Sequence, residues 1–453
     1  MERTEAEWIA RVEALEKIVL QQAERIKQLE EALEKLQKPP KDSSNSGKPP
    51  SQDQNRKYTP RDKTGRPTGG QKGHTGNTRM QVEAPDIIIP VLPEACVHCG
   101  SVDLHILPEA LERRQVVDIP PIEPLVTEYR QLSALCTRCG KASKKPFPGA
   151  VSAPVQMGPQ VMALAGYLKV AHYMSHERLT LLFSDLFGLE MSEGTIQNRL
   201  QGLSEELKDT YQHIKSAIQS AWLLASDETI CKIAGKKRFT WVFQTDKHCL
   251  FTSNQSRGYT VIESVLEGHT PEVSVSDRYN AQLKVPSKHQ LCLVHLLRIL
   301  KYIIQAEQSQ WAEALHLLLK EAIHLRKQTA QEYDTLSPGR FRQVQQLEEK
   351  LANLFQKPPP GKAEGTLFRE LLGRQASLLL FLHDPHIPFE NNASERALRN
   401  RVTHRNVTGG FRSPEGAFIY DVLSSLLETA KRQGLNILNL FSGSQLLAFP
   451  TTC

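Results

Sequence analysis

R-F-T-W-V-F-Q-T-D-K-H-C-L-F-T, residues 238–252, sets the architecture of the central part of the chain. Arg238–Thr245 and His248–Thr252 are rich in aromatic and β-branched residues, which predicts two strands. Asp246-Lys247 between them predicts the hairpin turn that joins those strands. The apolar run Ala221–Ala225 predicts another strand just upstream, so we expect three antiparallel strands here.

The sequence downstream of this hairpin alternates between helix and strand patterns. Tyr259–Leu266 predicts a short helix, Val273–Ser276 a fourth strand, and His289–Val294 a fifth strand that runs into a helix. Three antiparallel strands, a helix and further strands together predict a mixed α/β sheet.

Two aspartates stand where predicted strands end. Asp227, within S-D-E-T, and Asp277 each follow an apolar strand. If those strands are neighbours in the sheet, the two carboxylates face each other at one edge. Hard carboxylate oxygens suit Mg²⁺ or Mn²⁺. For each aspartate taken alone, a polar residue that closes a strand is the alternative.

A third acid lies in F-E-N-N-A-S-E-R-A-L-R-N-R-V-T-H-R, residues 389–405. A helix opening near Asn391 would place Glu395 and Arg399 on one face, an acid and a guanidinium suited to a cation beside a phosphate. Asn392-x-x-Glu395 is equally a capping-box pattern, with Glu395 reaching back to an exposed N–H at the helix start.

The two upstream aspartates favour metal binding over helix capping as the role of Glu395. Asp227, Asp277 and Glu395 can together hold a pair of divalent cations, which stabilise the attacking and leaving oxygens of an in-line phosphoryl displacement. Glu390, five residues before Glu395, is the rival acid in the same stretch.

Four of the eight cysteines form two C-x-x-C-G knuckles, and this spacing predicts a structural zinc site closed by four thiolates: Cys96, Cys99, Cys136 and Cys139. The strand-like segments Gln115–Ile119 and Leu125–Tyr129 lie between the knuckles and predict the sheet of a zinc ribbon. His98, inside the first knuckle, is interpreted as a bystander.

The N-terminal region carries an unbroken heptad from Trp8 to Leu36, with Val19 and Ile26 at one seam position and Leu15 and Leu29 at the other. This pattern favours a parallel two-stranded coiled coil over a helix docked on its own domain. Residues 38–80 are rich in Pro, Gly, Ser and basic residues, which predicts either a basic arm that orders on DNA or a plain solvated linker.

Helical patterns occupy two further regions. Between Met157 and Ile218, a helix, a break at Gly188 and a short helix read either as a helix-turn-helix or as an ordinary helical hairpin. In the first reading Gln197, Asn198 and Arg199 contact DNA. Residues 310–382 predict an all-helical insertion, and Glu415–Gln433 a last helix.

Composition narrows the classes of protein further. The chain has 453 residues, enough for several domains, and a formal charge of +6, which fits a nucleic-acid partner. It contains no apolar run long enough to span a membrane, and its first residues do not form a signal peptide. We therefore expect no membrane partner and a cytoplasmic location, with nucleoid association when bound to DNA.

Six motifs, in order, resemble the insertion-sequence 66 family of DDE transposases across nearly the whole chain: N-S-G-K-P-P-S-Q-D with G-G-Q-K-G-H-T-G, the paired knuckles, S-D-E-T, S-D-R-Y-N-A, H-Q-L-C-L-V-H-L-L-R and E-N-N-A-S-E-R-A-L-R. The resemblance implies a ribonuclease-H-like catalytic core with a helical insertion. It implies that Asp227, Asp277 and Glu395 form the catalytic triad. It assigns His295 and Arg298 to phosphate or end contacts, and we expect the same of Arg396 and Arg399.

The expected protein is therefore a multidomain α/β transposase. It would bind transposon ends and target DNA, act as a homodimer or larger assembly, and work with possible accessory proteins. The alternative is a catalytically impaired DNA-binding protein or repressor, because the sequence after Gly434 looks unlike the family's usual ending. The expected segments are a coiled-coil helix (1–38), a basic arm (39–85), a zinc domain (86–150), a helix-turn-helix-like domain (151–218), the first part of the core (219–307), a helical insertion (308–387), the closing part of the core (388–436) and a tail (437–453).

Overall fold

A computed structural model describes residues 15–30, 39, 73, 79–107, 112–328 and 338–449 of the chain. The chain divides into two compact units, Met1–Arg56 with Val126–Cys453, and Lys57–Leu125. Residues 15–30 are helical and form the described part of α1. The remainder of the predicted heptad and most of the predicted basic arm lie outside the described residues.

In the Lys57–Leu125 unit, two extended segments lie side by side. The Gln115 side chain bonds both backbone groups of Val82, and Gln81 Nε2 donates to the Arg113 carbonyl, 2.7 Å away. The strand predicted at Gln115–Ile119 does not form. Two prolines follow Ile119 in the sequence, and proline has no N–H to donate to a strand ladder.

The strand predicted at Leu125–Tyr129 is also absent. Instead, β1 (Ser133–Leu135) and β2 (Ala142–Lys144) pair antiparallel on either side of the second knuckle. The hairpin of this region is therefore built around the cysteines themselves rather than between the two knuckles.

Four helices precede the large sheet: α2 (Pro159–Ala171), α3 (His176–Phe187), α4 (Glu193–Glu206) and α5 (Lys208–Gln219). The predicted break at Gly188 is confirmed, because this glycine ends α3 in the left-handed conformation at φ 63°. Ser192 caps α4 by accepting a hydrogen bond from the Thr195 N–H at 3.1 Å. The second helix was expected to be short, but α4 has 14 residues.

The large sheet has five strands: β3 (Leu223–Ile233), β4 (Lys236–Gln244), β5 (Cys249–Asn254), β6 (Val273–Ser276) and β7 (Lys288–Leu291). Their spatial order is β5-β4-β3-β6-β7. The first three strands are antiparallel, as predicted, whereas β6 and β7 run parallel to β3. Helix α6 (Tyr259–Leu266) connects β5 to β6.

The first strand differs from its prediction, because β3 continues to Ile233 rather than ending before Ser226. Ala234 and Gly235 follow at positive φ, 50° and 73°. Two such residues make the tight turn that suits the twist of a hairpin, so β3 and β4 pair over their full length. The fifth strand also ends earlier than predicted, since Val294 already belongs to the next helix.

The remaining helices are α7 (Leu293–Glu307), α8 (Gln310–Gln328), α9 (Pro338–Leu354), α10 (Lys362–Leu371), α11 (Ala376–Leu379), α12 (Asn392–Thr408), α13 (Pro414–Arg432) and α14 (Ile437–Phe441). The predicted helical character of residues 310–382 is confirmed in the part that the structure describes. Helices α7–α11 share one hydrophobic cluster with Val273 and Leu291 of the sheet.

One large core joins the early helices to the sheet. Trp241 and Phe243 of β4 are fully buried in the same cluster as residues of α2–α6, α13 and α14. Val242 points to the opposite face, where it packs with Ala397 and Leu398 of α12. This alternation follows the two-residue period of a strand and places α12 over the face that Val242 occupies.

Helix α13 covers the open edge of the sheet. Its side chains Asp421, Ser425 and Thr429, four residues apart, accept hydrogen bonds from the backbone N–H groups of Ser253, Phe251 and Cys249 at 2.7 to 3.0 Å. An uncovered edge strand would leave those donors free to pair with another chain.

The described residues after α13, up to residue 449, pack against the rest of the chain. Helix α14, which was not predicted, buries Leu440 and Phe441. Phe441 lies so close to Gly166 of α2 that a Cβ built there would be 3.2 Å from its ring. Phe449 stacks on His248 with ring centroids 5.6 Å apart.

Candidate active site

The sheet brings the two predicted aspartates together. Leu223 pairs with Val273 and Ala225 with Val275 in the parallel ladder between β3 and β6. Asp227 and Asp277 each lie two residues beyond the last of these pairs, so they are at the same level of the sheet. The two strands are neighbours in the sheet, which is the condition that the sequence analysis set. Asp227 lies within β3, whereas Asp277 directly follows β6.

Negative charge is concentrated around Asp227. Loss of water contact raises the pKa of Asp227 well above its ordinary value, and the carboxylates of Asp277, Glu228 and Glu395 add to the rise. A hydrogen bond from the Glu228 N–H, 2.8 Å away, acts in the opposite direction but does not cancel these effects. Burial and the neighbouring carboxylates therefore both disfavour the charged form of Asp227.

Helix α12 supplies the third acid. Asn391 is the capping residue just before this helix, and its side chain forms no cap hydrogen bond there. The capping-box interpretation of Glu395 is therefore wrong for this structure. Asn391 instead bonds to Ser226 and Cys292, and its Oδ1 accepts from Ser394 Oγ of the helix.

The Glu395 carboxylate meets His295 from the first turn of α7. His295 Nε2 lies 3.3 Å from Glu395 Oε1. The alignment does not make this contact a hydrogen bond, and Oε1 is a buried atom with no hydrogen-bond partner among the described residues. His295 Nδ1 is likewise buried and unbonded there. A buried carboxylate oxygen without a donor is chemically suited to a cation.

A fourth acid, Glu228, which the sequence analysis missed, lies beside Asp227 on the opposite face of β3. The Glu228 side chain is 3% exposed, and Arg257 donates to its Oε1 through Nε at 2.7 Å and Nη2 at 2.5 Å. Burial and then the neighbouring Asp277 raise the pKa of Glu228, while Arg257 opposes this rise. The Arg257 guanidinium lies 3.9 Å from the ring centroid of Tyr279.

The same cluster holds the backbone around Asp277. The Tyr279 N–H donates to Asp277 Oδ1 at 2.8 Å, and its hydroxyl donates to the Arg257 carbonyl at 3.0 Å.

The sequence signal that could have found Glu228 is its place beside Asp227 in S-D-E-T. Adjacent residues of a strand point to opposite faces, so these two acids lie on opposite sides of the sheet.

The residues predicted to contact DNA are spread over several elements. Arg396 and Arg399 are exposed on α12, and Arg298 is half-buried one turn beyond His295 on α7. On α4, Asn198 is exposed while Gln197 and Arg199 are half-buried. The exposed residues of α4 also include acids, namely Glu193, Glu205 and Glu206.

Each cysteine knuckle forms the turn expected of it. The Cys96 N–H donates to the Ser101 carbonyl and the Gly100 N–H to the Cys96 carbonyl, both at 2.8 Å. The second knuckle repeats the pattern, with the Cys136 N–H bonded to Lys141 and the Gly140 N–H bonded to Cys136. Both glycines have positive φ, 76° and 68°, which explains the residue type at these positions.

Both knuckles favour thiolates. Hydrogen bonds with the backbone of His98 and Cys99 lower the pKa of the Cys96 thiol. Those with Cys139 and Arg138 lower the pKa of the Cys136 thiol. A thiolate is the form of cysteine that binds zinc, so the donors fit that metal.

In the described ranges, no three His, Cys, Asp or Glu side chains are grouped as a ready-made metal cluster. The described helices also include none with the length and apolar character needed to cross a bilayer.

Comparison with known proteins identifies the family. The profile of the Transposase IS66 family matches residues 154–418, more than half of the chain. The chain therefore belongs to this family. A second profile, the zinc-finger binding domain of transposase IS66, matches residues 93–140 and spans both knuckles. A family of unknown function, DUF6444, matches residues 2–80.

Two relatives come from Sinorhizobium fredii. The uncharacterized protein y4jO is 32% identical over 130 residues, which is 22% of this chain and 40% of that protein. The uncharacterized protein y4jD is 21% identical over 389 residues, 78% of this chain and 74% of that protein. The chain thus spans less than half of the first relative's length, and neither name states an activity.

Proposed function

We propose that the protein is a DNA transposase that cuts transposon ends and joins their 3′-hydroxyls to target DNA. Asp227, Asp277 and Glu395 would hold two Mg²⁺ or Mn²⁺ ions. The observation that carries this proposal is that Asp227 and Asp277 lie at the same level of neighbouring strands, where burial first, then the charge of Asp277 and least that of Glu395, raise the pKa of Asp227. Membership of the IS66 transposase family supports it.

The sheet supports a ribonuclease-H-like core. Three antiparallel strands come first, two parallel strands are added beyond the first of them, and α12 covers the face occupied by Asp227. Asp227 and Val242 are cross-strand partners and therefore point to the same face. That arrangement takes one acid from the first strand, one from the fourth and one from a late helix.

The chemistry consists of two phosphoryl transfers. In the first, a water oxygen bonds to the scissile phosphorus while the bond from phosphorus to the 3′-oxygen breaks, which frees a 3′-hydroxyl at the transposon end. In the second, that 3′-hydroxyl attacks a target phosphodiester, and the target's own 3′-oxygen leaves. Two bound divalent cations would stabilise the charge on the attacking and leaving oxygens.

The protein's own groups hold and balance this site. Glu395 Oε1 and the aspartates provide the anionic oxygens, and His295 lies beside Glu395 where it can orient that carboxylate or a phosphate. Arg257 neutralises Glu228, so the fourth acid does not add a full uncompensated charge. Arg298, Arg396 and Arg399 would contact DNA phosphates, and Gln197, Asn198 and Arg199 the DNA ends.

Zinc would have a structural role. The four knuckle thiolates would close a tetrahedral site and leave no open position for substrate. The two knuckle turns and their lowered thiol pKa values support this, as does the profile that spans both knuckles.

The decisive experiment is a cleavage and joining assay with the purified full chain and DNA carrying the ends of its own element. With Mg²⁺ we expect nicked ends and joined products. Asp227→Asn should lower the cleavage rate at least about 100-fold, the scale of losing a principal electrostatic contribution. Asp246→Asn, the same change in the exposed β4–β5 turn, is the control and should cleave normally.

The outcomes separate the possible functions. Full activity of Asp227→Asn would show that the triad is assigned wrongly. Cleavage without joined products would indicate a hydrolytic nuclease rather than a transposase.

A further inference from the structure

Asn391 connects three segments that are distant in the sequence. It is 2% exposed. Its side-chain Nδ2 donates to the Ser226 carbonyl at 2.8 Å, and its backbone N–H donates to Cys292 Sγ at 3.2 Å. Its Oδ1 accepts from Ser394 Oγ at 2.7 Å, which ties it to its own helix. Among the described residues, no other asparagine forms hydrogen bonds to β3, to the residue that precedes α7 and to α12.

Each of these anchors adjoins a proposed metal ligand. Ser226 directly precedes Asp227 in β3. The Cys292 N–H donates to the carbonyl of Ser276 at 2.8 Å, and Ser276 directly precedes Asp277. Asn391 itself lies one turn before Glu395 in α12.

The bond to Ser226 comes where the strand ladder stops. The pairing of β3 with β6 ends at Ala225, so no β6 residue is paired with Ser226. The Asn391 amide donates to the carbonyl just past that end and fixes the peptide that leads into Asp227. Gln244 Nε2 donates to Ser394 Oγ at 2.9 Å, which holds the hydroxyl that in turn holds Asn391.

An amide suits this position for an electrostatic reason. It donates a hydrogen bond without adding charge beside a group of carboxylates. Aspartate has the same shape but no N–H, so it would place a second acceptor against the Ser226 carbonyl and add another negative charge.

We infer that Asn391 is a positioning residue that sets the spacing of Asp227 and Glu395 through its bonds to Ser226 and Cys292. This inference rests on the proposed function, because it concerns the metal ligands of that reaction. Asn391 touches no reacting group itself.

The test compares Asn391→Ala and Asn391→Asp with Asn392→Ala, the adjacent asparagine, which is only half-buried. The first readout is Mn²⁺ binding to the zinc-loaded full chain, followed by the electron paramagnetic resonance signal of free Mn²⁺. We expect the Asn391 variants to bind Mn²⁺ roughly tenfold more weakly, as for loss of a residue that orients a ligand. The second readout is single-turnover cleavage, which should slow by about 100-fold while affinity for end DNA stays unchanged.

Cys292 provides a test that leaves Asn391 in place. Cys292→Ala removes the acceptor of the Asn391 N–H and should weaken Mn²⁺ binding, whereas Cys292→Ser restores an acceptor and should recover it. A purely structural role for this buried thiol predicts the reverse order, because serine is the poorer residue in an apolar site.

The outcomes distinguish failure of the inference about Asn391 from failure of the proposed function. Mn²⁺ binding by Asn391→Ala equal to that of Asn392→Ala would overturn the inference, whatever the activity. If Asn391→Ala weakens Mn²⁺ binding but the wild-type chain does not cleave DNA, the inference stands and the proposed function fails. Absence of Mn²⁺ binding by the wild-type chain would overturn both.

Discussion

Asp227 shows how a single residue can oppose the stability of the fold that contains it. Its pKa is raised, first by loss of water contact and then by neighbouring carboxylates. Between the unfolded pKa, about 3.9, and the higher folded pKa, the folded chain retains a proton that the unfolded chain has released. Without divalent cations, the free energy of unfolding should therefore fall as pH rises through that window.

Asp227→Asn should remove this contribution. In zinc-loaded, Mg²⁺-free protein, we expect the variant to unfold at a higher urea concentration than wild type at pH 8, and the two midpoints to converge as the pH approaches 4. Asparagine keeps the oxygen that accepts from the Glu228 N–H, so that hydrogen bond survives. Asp246→Asn should match wild type throughout.

Added Mg²⁺ gives an independent check on the same residue. A ligand that binds only the folded state stabilises it by mass action. Mg²⁺ should therefore raise the urea midpoint of wild type and leave Asp227→Asn nearly unchanged. If the urea midpoint of Asp227→Asn is below that of wild type at pH 8 without Mg²⁺, the Asp227 carboxylate stabilises the folded state rather than destabilising it.

At the scale of elements, short apolar segments with clear flanks were predicted well. Tyr259–Leu266 and Val273–Ser276 have the predicted bounds. The second half of β3 was missed because its polar and apolar residues form no clear strand pattern, and its pairing with β4 is not evident from local sequence. Asp277 follows a strand end as predicted, whereas Asp227 lies inside β3. The contacts of Asn391 could not be foreseen, since its partners are 99 and 165 residues away.

The cysteine knuckles allow a prediction about an element. Cys96→Ser should lower the zinc content of the purified chain, because oxygen replaces one of the thiolates that zinc prefers. His98→Ala, two residues away in the same turn, should retain full zinc. Metal analysis of both variants, purified side by side, measures this difference.

Zinc loss in His98→Ala with retention in Cys96→Ser would contradict this ligand set. Loss in both variants would point to a turn that fails to form rather than to a missing ligand.

At the scale of the whole molecule, the five-stranded sheet shares its core with the surrounding helices. Trp241 and Phe243 share one core with the four helices that precede the sheet. Phe441 enters that core from the far end of the described chain. A large structural change in α2–α5 on binding DNA would therefore also move the sheet residues that pack against these helices.

The α1 helix, by contrast, exposes an apolar seam. Leu15, Val19, Ile26 and Leu29 are each more than half exposed. Their spacing matches the seam of a parallel coiled coil, and burial against a second copy would remove this surface from water. We therefore predict that the chain forms a dimer through α1.

Ile26→Asp should weaken that dimer, because association would bury a charge without a partner in the seam. We expect the dissociation constant to rise at least about 100-fold, equivalent to roughly 3 kcal/mol. Gln21→Asp introduces the same acid away from the seam and is the control. Light scattering during size-exclusion chromatography should give the mass of two chains for wild type and the control, and of one chain for Ile26→Asp. A dimer of unchanged affinity in Ile26→Asp would place the self-association surface elsewhere in the molecule.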